Sequence, residues 1–314
     1  MSRFQFRLAV QERIWPPSRL REGGVHHHPP EAFLLRLDVP EEDRICSRSK
    51  CLLPKSTIRR YDRVMTDAIS APAFLARPDG LRLAYRHRAG AGPTIVFLPG
   101  YMSDMLGGKA QALDDWAARE GRAMLRLDYA GCGESEGAFE DGTLSSWRDD
   151  ARAVIDAIVP EGPLLLVGSS MGGWLALLLA QELGDRVAGL VGIAAAPDFT
   201  EWGFDEAQKA AMRRDGRIEE PSPYGEQPYV TTLAFWESGQ ALRLLEGPVA
   251  LDCPVRLLQG QADPDVPWRT ALRLADALRS ADVQTILVKD GDHRLSRPQD
   301  IALLIATVAG LTES

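Results

Sequence analysis

From about residue 73 onward, short apolar runs alternate with longer stretches in which apolar residues recur at three- and four-residue spacing. The short runs are typical of strands buried on both faces, and the longer stretches are typical of helices packed against a sheet. This alternation predicts an α/β fold with a mostly parallel, doubly wound sheet, whose functional residues lie at the carboxyl ends of the strands. The predicted strands are residues 94–98, 123–127, 164–167, 187–194, 255–258 and 284–288, and the predicted helices are residues 107–119, 143–159, 174–183, 268–278 and 298–309.

Two segments of the patterned region depart from this rhythm. Apolar residues at every second position over 74–76 and 81–85 predict an antiparallel edge hairpin before the first parallel strand. Residues 199–248 follow the strand at 187–194 with charged helical stretches and several aromatic residues. A connection of about fifty residues is too long for a compact domain, where unstructured loops beyond about 15 residues are usually functional. We therefore predict a lid over 199–248.

The lid would interrupt a core formed by residues 65–198 and 249–314. Residues 1–64 have no sustained helical or strand period, and we interpret them as a poorly ordered extension. A flexible tail, a transit-like extension and a start site placed upstream of Met65 are the alternatives. The last is preferred because the regular patterning begins after Met65, and because transit peptides are poor in the acidic residues present here.

The sequence Gly168-Ser169-Ser170-Met171-Gly172 separates the predicted strand at 164–167 from the predicted helix at 174–183. A Gly-x-Ser-x-Gly segment in this position is typical of a nucleophile elbow, a strained turn that exposes the serine at the start of a helix. The glycines allow the strand, turn and helix backbones to approach closely. Ser170 is therefore the candidate nucleophile, and the helix dipole and the N–H of Met171 favour negative charge on a substrate oxygen.

A serine hydroxyl is a weak nucleophile, so it needs a histidine base and an acid that orients the imidazole. Of the five histidines, His87 and His293 lie in the patterned region. His293 is the predicted base because it follows the last predicted strand, whereas His87 lies near the amino-terminal hairpin. Asp263, after the strand at 255–258, is the first candidate for the acid, and Asp265 is the second. The resulting chain order of serine, aspartate and histidine is that of an α/β-hydrolase.

A second oxyanion donor is expected from the loop after the strand at 94–98, which reads Pro99-Gly100-Tyr101-Met102. The N–H of Tyr101 is the candidate, because Gly100 allows the backbone to turn toward the nucleophile. Together with the N–H of Met171 it would form an oxyanion hole, in which one donor contributes roughly 3 kcal/mol to transition-state stabilisation.

Composition and charge argue against several other classes of protein. The formal net charge is −8, and because the first 64 residues are net basic, the patterned region is strongly acidic. An acidic body argues against nucleic-acid binding, which requires a basic surface. The longest apolar run, 174–180, falls short of the roughly 18 residues that a membrane-spanning helix needs. The 4 scattered cysteines argue against a disulfide framework and favour a cytoplasmic location.

No cofactor or metal is expected. The glycine-rich segment that starts at Asp128 lacks the third glycine and the later acidic residue of a dinucleotide-binding fingerprint, so we interpret it as a turn beside the site. Cys132 within it is interpreted as an inert thiol rather than a reactive one. The histidines at 26–28, with Cys46 and Cys51, match no zinc-ligand spacing.

Short motifs spread over the patterned region resemble a known family. They are Pro99-Gly100-Tyr101, Asp128-Tyr129 with Gly131 and Gly133, Thr143-Leu144 with Trp147-Arg148, Gly168-Ser169-Ser170 with Gly172-Gly173-Trp174, Cys253-Pro254, Asp263 with Val266-Pro267-Trp268, and Asp292-His293. Together they resemble the mitochondrial α/β-hydrolase-domain family whose members act as acyl-protein thioesterases and cleave acyl glucuronides. The resemblance runs from about residue 73 to the end and implies a triad of Ser170, Asp263 and His293. The first 64 residues do not match, and the lid shares little beyond its length.

These inferences predict a cofactor-free serine hydrolase that cleaves a small-molecule ester or an acylated protein through an acyl-enzyme at Ser170. The aromatic residues of the lid suggest an apolar acyl chain, although they would equally suit the lid's own core. A peptidase or amidase on the same fold is one alternative. A non-catalytic protein that binds a small molecule on this fold is another, since fold does not fix function. The sequence leaves the oligomeric state open.

Overall fold

The computed structural model describes residues 71–221 and 228–313. The predictions for residues 1–64, together with the preferred start at Met65, lie outside the described residues. The described strands are β1 (Ala73–Ala76), β2 (Arg82–Arg88), β3 (Ala91–Leu98), β4 (Arg122–Leu127), β5 (Leu164–Ser169), β6 (Val187–Ile193), β7 (Arg217–Glu220), β8 (Tyr229–Thr232), β9 (Val255–Gly260) and β10 (Val283–Val288). The described α-helices are α1 (Gly108–Glu120), α2 (Leu144–Ile158), α3 (Met171–Leu183), α4 (Phe199–Trp202), α5 (Glu206–Asp215), α6 (Leu233–Ala241), α7 (Arg269–Ala277) and α8 (Pro298–Thr312).

The predicted sheet is confirmed. Eight strands pair in the order β1-β2-β4-β3-β5-β6-β9-β10. The strands from β4 to β10 in this order are parallel, and β1 and β2 form the predicted antiparallel hairpin at one edge. The carboxyl ends of the parallel strands therefore share one edge of the sheet, which is where the predicted site residues should meet.

Alternate residues of the central strands fill two separate cores. On β5, Leu164 and Leu166 belong to the core that includes the apolar residues of α2 and α3, whereas Leu165 and Val167 belong to the core that includes those of α1 and α8. Strands that are apolar on both sides, with helices over each face, form a doubly wound α/β sheet.

Helix boundaries follow from local chemistry. Thr143 caps α2, because its side chain accepts a hydrogen bond from the N–H of Ser146 while the Ser146 hydroxyl accepts one from the N–H of Thr143. α3 has no such cap and is held by packing instead, since all its residues except Gln181 and Glu182 are buried.

Within the described residues, no helix has both the length and the apolar character needed to cross a bilayer.

The segment between β6 and β9 holds α4, α5, α6 and the two-stranded sheet of β7 and β8. A buried aspartate, Asp198, joins the two ends of this insertion. Its carboxylate accepts hydrogen bonds from the N–H groups of Leu244 and Leu245 at 2.7 and 2.8 Å. The insertion thus leaves and re-enters the core at one point.

Leu177→Ala should lower the free energy of unfolding by about 2–5 kcal/mol, because the Leu177 side chain is fully buried in α3 and its loss leaves a cavity. Leu272→Ala on α7 is the matched control, since Leu272 is 43% exposed. It should change stability by no more than about 0.5 kcal/mol. Urea unfolding measures both values, and equal losses would contradict the assignment of α3 to the core.

Candidate active site

Ser170 lies at the sharp turn between β5 and α3. Its backbone has φ 54° and ψ −120°, a conformation that non-glycine residues rarely adopt. The N–H of Ser170 donates to the carbonyl of Ile193 at 2.9 Å, and the Ser170 carbonyl accepts from the N–H of Ala196 at 3.1 Å. β6 therefore holds the strained turn from the side, as expected when surrounding structure fixes backbone strain at a functional site.

Positions 168 and 172 of the turn must be glycine, because there is no room for a side chain at either of them. A Cβ atom on Gly168 would lie 2.2 Å from the carbonyl oxygen of Gly172, and a Cβ on Gly172 would lie 2.1 Å from the carbonyl oxygen of Leu98. These distances are far shorter than any real contact, so β3, β5 and α3 can meet here only through glycine.

The structure brings Ser170, Asp263 and His293 together. The Oγ atom of Ser170 lies 3.2 Å from Nε2 of His293, and Nδ1 of His293 lies 3.0 Å from Oδ2 of Asp263. The side chain of Asp263 is fully buried, whereas that of His293 is 16% exposed. The imidazole thus lies between a buried carboxylate and the serine at the turn, an arrangement in which it can take the serine proton while the carboxylate orients it.

The loops that carry the acid and the base touch each other. A Cβ on Gly260, the last residue of β9, would lie 2.2 Å from the carbonyl oxygen of Gly291. The N–H of Ala262 donates to the same carbonyl at 3.0 Å. Because this close approach fixes one loop against the other, it sets the distance between Asp263 and His293.

Both oxygens of the Asp263 carboxylate accept hydrogen bonds. Its Oδ1 accepts from the N–H groups of Asp265 and Val266, both at 2.8 Å, and its Oδ2 accepts from Nε2 of Gln259 at 2.9 Å as well as facing His293. Burial alone would raise the pKa of Asp263, but His293 and the two backbone N–H groups outweigh it and hold that pKa below its usual value. Asp263 is therefore ionised at neutral pH.

The other two candidates make different contacts. Asp265, the second candidate for the acid, is exposed and has a carboxylate oxygen within 4.8 Å of Asp263 and His293, but the hydrogen bond to His293 is made by Asp263. His87 lies on β2 opposite Leu125 of β4. Because β2 runs antiparallel to β4, the carboxyl end of β2 points away from the edge of the sheet at which the carboxyl ends of the parallel strands and Ser170 lie.

The loop after β3 passes directly against the elbow. A Cβ on Gly100 would lie 3.3 Å from Cβ of Ser170. The next residue, Tyr101, therefore has its backbone beside the nucleophile, and Met171 is the first residue of α3 on the other side of Ser170. Of the two predicted oxyanion donors, Met171 thus directly follows Ser170 in the chain, and Tyr101 follows the glycine that packs against Ser170.

The side chain of Tyr101 points away from the elbow, toward the insertion. Its hydroxyl donates to the carbonyl of Val230 in β8 at 2.5 Å. Its ring packs at centroid distances of 5.9 Å from Trp147 of the core and 4.9 Å from Phe235 of α6. Burial raises the pKa of the Tyr101 phenol well above its usual value, so the hydroxyl stays protonated and able to donate.

A cleft of about 640 Å³ opens above Ser170 and His293. Aromatic residues of the insertion line one part of it, namely Phe199, Trp202, Phe204 and Tyr229. Lys109 and Arg294 line another part, and Nζ of Lys109 donates to the carbonyl of Arg294 at 2.6 Å. Burial, with a further contribution from the Arg294 charge, lowers the pKa of Lys109 to about 8. The lining of the cleft therefore combines aromatic side chains with charged residues of both signs, since Asp104, Glu220 and Asp265 also line it.

Asp128, which follows β4, anchors the loops beside the site. Its carboxylate accepts from the N–H of Met105 at 2.7 Å and from the N–H of Glu134 at 2.9 Å. Burial raises the pKa of Asp128 to about 6, although the two N–H groups lower it in part. A Cβ on Gly133 would lie 2.2 Å from Oδ2 of Asp128, so the glycine-rich segment wraps closely around this carboxylate. This agrees with its interpretation as a turn.

One other predicted feature can be placed. Cys132 is buried, and burial raises the pKa of its thiol to about 12, as suits an inert cysteine.

Potential metal-ligating atoms lie within 4.8 Å of one another on Asp263, Asp265 and His293. The oxygens of Asp263 already accept hydrogen bonds from Gln259 and two N–H groups and face Nδ1 of His293, so a metal bound here would have to replace these contacts.

One contributor to the site was missed from the sequence. Gln259 lies on β9 and donates to Asp263, and its side chain was not among the predicted site residues. The available signal was a polar residue directly after the apolar run 255–258, at the carboxyl end of a buried strand.

Comparisons with known proteins agree with this architecture. The family model described as "Serine aminopeptidase, S33" matches residues 91–219. The human protein "Palmitoyl-protein thioesterase ABHD10, mitochondrial" is 40% identical over 245 residues, which cover 77% of this chain and 80% of the human protein. A putative hydrolase from Agrobacterium vitis S4 superposes with a TM-score of 0.72 at 44% identity, covering 78% of this chain and 98% of that chain. Mouse α/β-hydrolase domain-containing protein 10 superposes with a TM-score of 0.73 at 38% identity, covering 78% and 99%.

The parallel doubly wound sheet, the strained turn after its central strand and these matches define an α/β-hydrolase. Within this class, the chain belongs to the family of the palmitoyl-protein thioesterase ABHD10. The resemblance stated from the sequence motifs is confirmed, as is the expectation of a hydrolytic enzyme.

The expected cytoplasmic location is wrong. The relatives from Homo sapiens, Pongo abelii and Bos taurus are all named as mitochondrial. The prediction rested on cysteine content, which reflects whether a compartment is reducing and does not distinguish one reducing compartment from another.

Gly172→Ala should lower kcat/KM by about 100-fold, because the new methyl group would push the elbow away from β3 and even a 1 Å displacement of a reacting group is costly. Overpacking at the same position should lower the free energy of unfolding by about 1–3 kcal/mol. Gly310→Ala in α8 is the control, since a Cβ there meets open space. Steady-state kinetics and urea unfolding measure both effects, and full activity in Gly172→Ala would contradict the close approach.

Ionisation of Asp128 should destabilise the fold. Its native pKa of about 6 lies above the unfolded value of about 3.9. Between these values the native state binds more protons, so the free energy of unfolding should fall as pH rises from 4 to 6, by at most about 3 kcal/mol. The fall should be smaller in Asp128→Asn. Urea unfolding of both proteins across this range tests it, and identical slopes would exclude the effect.

Proposed function

We propose that the protein is a serine hydrolase that cleaves carboxylic esters or thioesters through an acyl-enzyme at Ser170. The observation that carries this proposal is the placement of His293 between Ser170 and Asp263, at 3.2 and 3.0 Å. A neutral imidazole in this position accepts the serine proton, and the ionised carboxylate stabilises the imidazolium that results.

In the proposed reaction, Oγ of Ser170 attacks the acyl carbonyl carbon while its proton moves to Nε2 of His293. The N–H groups of Tyr101 and Met171 hold the oxyanion of the tetrahedral intermediate. Its collapse expels an alcohol or a thiol, which takes the proton from His293. Water then attacks the acyl carbon while its proton moves to His293. The bond between that carbon and Oγ breaks, Oγ takes the proton back from His293, and the carboxylic acid leaves. Asp263 keeps the imidazole in the required tautomer throughout.

The acyl part of the substrate is proposed to be apolar. The relatives that match most of this chain are named palmitoyl-protein thioesterases, and the aromatic residues that the insertion contributes to the cleft suit a hydrocarbon chain. The leaving group is either a small molecule or the protein part of an acylated protein.

We also propose the domain division made from the sequence, with 199–248 as a lid on the core of 65–198 and 249–314. Two observations support it: Asp198 joins the ends of the insertion, and Phe199, Phe204 and Tyr229 line the cleft. An element that covers the nucleophile and contacts the substrate is suited to setting specificity.

A serine peptidase or amidase is the second candidate, and the matched family description favours it. The same triad would cleave an amide by the same steps, so hydrolysis of amide substrates separates it from an esterase. A non-catalytic binding protein is disfavoured, because binding alone does not require a base held between the serine and a buried carboxylate.

Ser170→Ala should lower turnover of a p-nitrophenyl ester by roughly 10⁶-fold, because removing the nucleophile disables the triad as a unit. Wild-type protein should be labelled by a fluorophosphonate at Ser170, as intact-mass spectrometry would detect. Near-wild-type turnover in Ser170→Ala would exclude the serine mechanism, and ligand binding without turnover in the wild type would support a binding protein instead.

The two histidines of the patterned region offer a matched comparison. His293→Gln should abolish most of the activity, whereas His87→Gln should retain it, since His87 lies on β2, which is three strands away from β5 in the sheet. Equal losses would contradict the assignment of His293 as the base.

A series of thioesters and oxygen esters with short to long acyl chains tests the substrate class, with Ser170→Ala as the blank. Higher kcat/KM for long-chain thioesters would support action on acylated proteins. Higher values for short oxygen esters would indicate a general carboxylesterase.

A further inference from the structure

We infer that Gln259 is a positioning residue for the acid of the triad, an inference that rests on the serine mechanism proposed above. Gln259 lies on β9, four residues before Asp263, and its side chain is completely buried. Nε2 of Gln259 donates to Oδ2 of Asp263 at 2.9 Å. This is the same oxygen that faces Nδ1 of His293.

The orientation of the Gln259 amide is fixed by its surroundings. Besides Asp263, the nitrogen faces the carbonyl oxygens of Gly260 and Val266, both at 3.3 Å. Three acceptors surround one NH₂ group, so exchanging the nitrogen and oxygen of the amide would set oxygen against oxygen at every contact. The amide therefore has one acceptable orientation, with its donor directed at Asp263.

This orientation leaves the other end of the amide unsatisfied. Oε1 of Gln259 is buried and has no hydrogen-bond partner among the described residues. A buried acceptor without a donor destabilises a fold, and such atoms are rare in native proteins. An apolar residue of similar size would avoid that penalty, so a requirement other than stability must favour glutamine here. The contact with Asp263 supplies such a requirement.

The bond has two consequences for the triad. With the N–H groups of Asp265 and Val266 on Oδ1, the Gln259 donor on Oδ2 fixes the plane of the Asp263 carboxylate and hence the orientation of His293. It also withdraws negative charge from the oxygen that faces the imidazole. Gln259 thereby limits how strongly Asp263 stabilises the protonated, inactive form of His293.

Other charged groups near the pair are Asp265, Asp292, Arg294 and Lys109. Asp265 has a carboxylate oxygen within 4.8 Å of the acid–base pair, Asp292 and Arg294 adjoin His293 in the chain, and Lys109 contacts the Arg294 carbonyl. A neutral substitution at Gln259 leaves all four in place, so a change in pH dependence would report on the lost amide.

The test compares Gln259→Met with Gln261→Met as a matched control. Methionine has nearly the length of glutamine but no donor. Gln261 lies two residues further along, after the end of β9, and its side chain makes none of the four contacts of the Asp263 carboxylate. The measurements are kcat and KM for a p-nitrophenyl ester from pH 5 to 9, the melting temperature, and the rate of fluorophosphonate labelling.

In Gln259→Met we expect kcat to fall roughly tenfold, the size of one hydrogen bond to a charged group, with KM nearly unchanged. The acidic limb of the kcat/KM profile should move to higher pH by about half a unit, because the carboxylate then holds the imidazolium more strongly. The melting temperature should stay within a few degrees of wild type, since the lost bond and the removed unsatisfied oxygen oppose each other. Gln261→Met should match the wild type in all three.

An unchanged kcat and pH profile in a folded Gln259→Met would overturn the inference, and so would a loss of kcat that only tracks a large fall in melting temperature. Gln259→Leu provides a second variant if methionine prevents folding. It also lacks the donor, so it should show the same fall in kcat and the same movement of the acidic limb as Gln259→Met, and no movement would again overturn the inference. Failure of the serine mechanism would be recognised separately, as wild-type protein that does not label at Ser170.

Discussion

The site depends on one steric constraint, the contact of three backbones at the turn between β5 and α3. Gly168 and Gly172 leave so little room that the carbonyl oxygen of Leu98 occupies the space of a side chain. Because β3, β5 and α3 are locked together at this point, Ser170 is held in its strained conformation and the loop after β3 passes beside it. The close packing of glycine backbones therefore fixes the position of Ser170 relative to the loop after β3.

Buried aspartates fix the loops around this turn, and each does so by accepting backbone N–H groups. Asp128 joins the loop before α1 to the glycine-rich turn after β4, and Asp198 joins the two ends of the insertion. Asp263 accepts two N–H groups of its own loop and also faces His293. A carboxylate has enough lone pairs to bind several donors at once, so one residue type serves here as a loop anchor and as the proposed acid of the triad. The difference lies in whether an imidazole is within reach.

Tyr101 connects the catalytic edge with the insertion. Its backbone lies beside Ser170, while its hydroxyl is bonded to Val230 of β8 and its ring packs among aromatic residues of the core and the insertion. Movement of the insertion would therefore act on the residue proposed to donate to the oxyanion. Through this connection, a ligand that contacts the aromatic residues of the insertion in the cleft would influence the reaction proposed at the serine.

The sequence by itself determined the sheet, the elbow with Ser170 and the two loops that carry Asp263 and His293, because apolar periodicity and glycine spacing are local signals. The cellular location predicted from the sequence was wrong, since cysteine content does not distinguish one reducing compartment from another. Only the tertiary structure decided that Asp263 rather than Asp265 faces His293, since two carboxylates two residues apart differ only in the direction of their side chains. The same holds for Gln259, whose role arises from a contact between a strand end and a loop, and for the link from Tyr101 to Val230, which lies 129 residues further along the chain. Contacts of this kind depend on how the elements pack, and no local pattern in the chain specifies them.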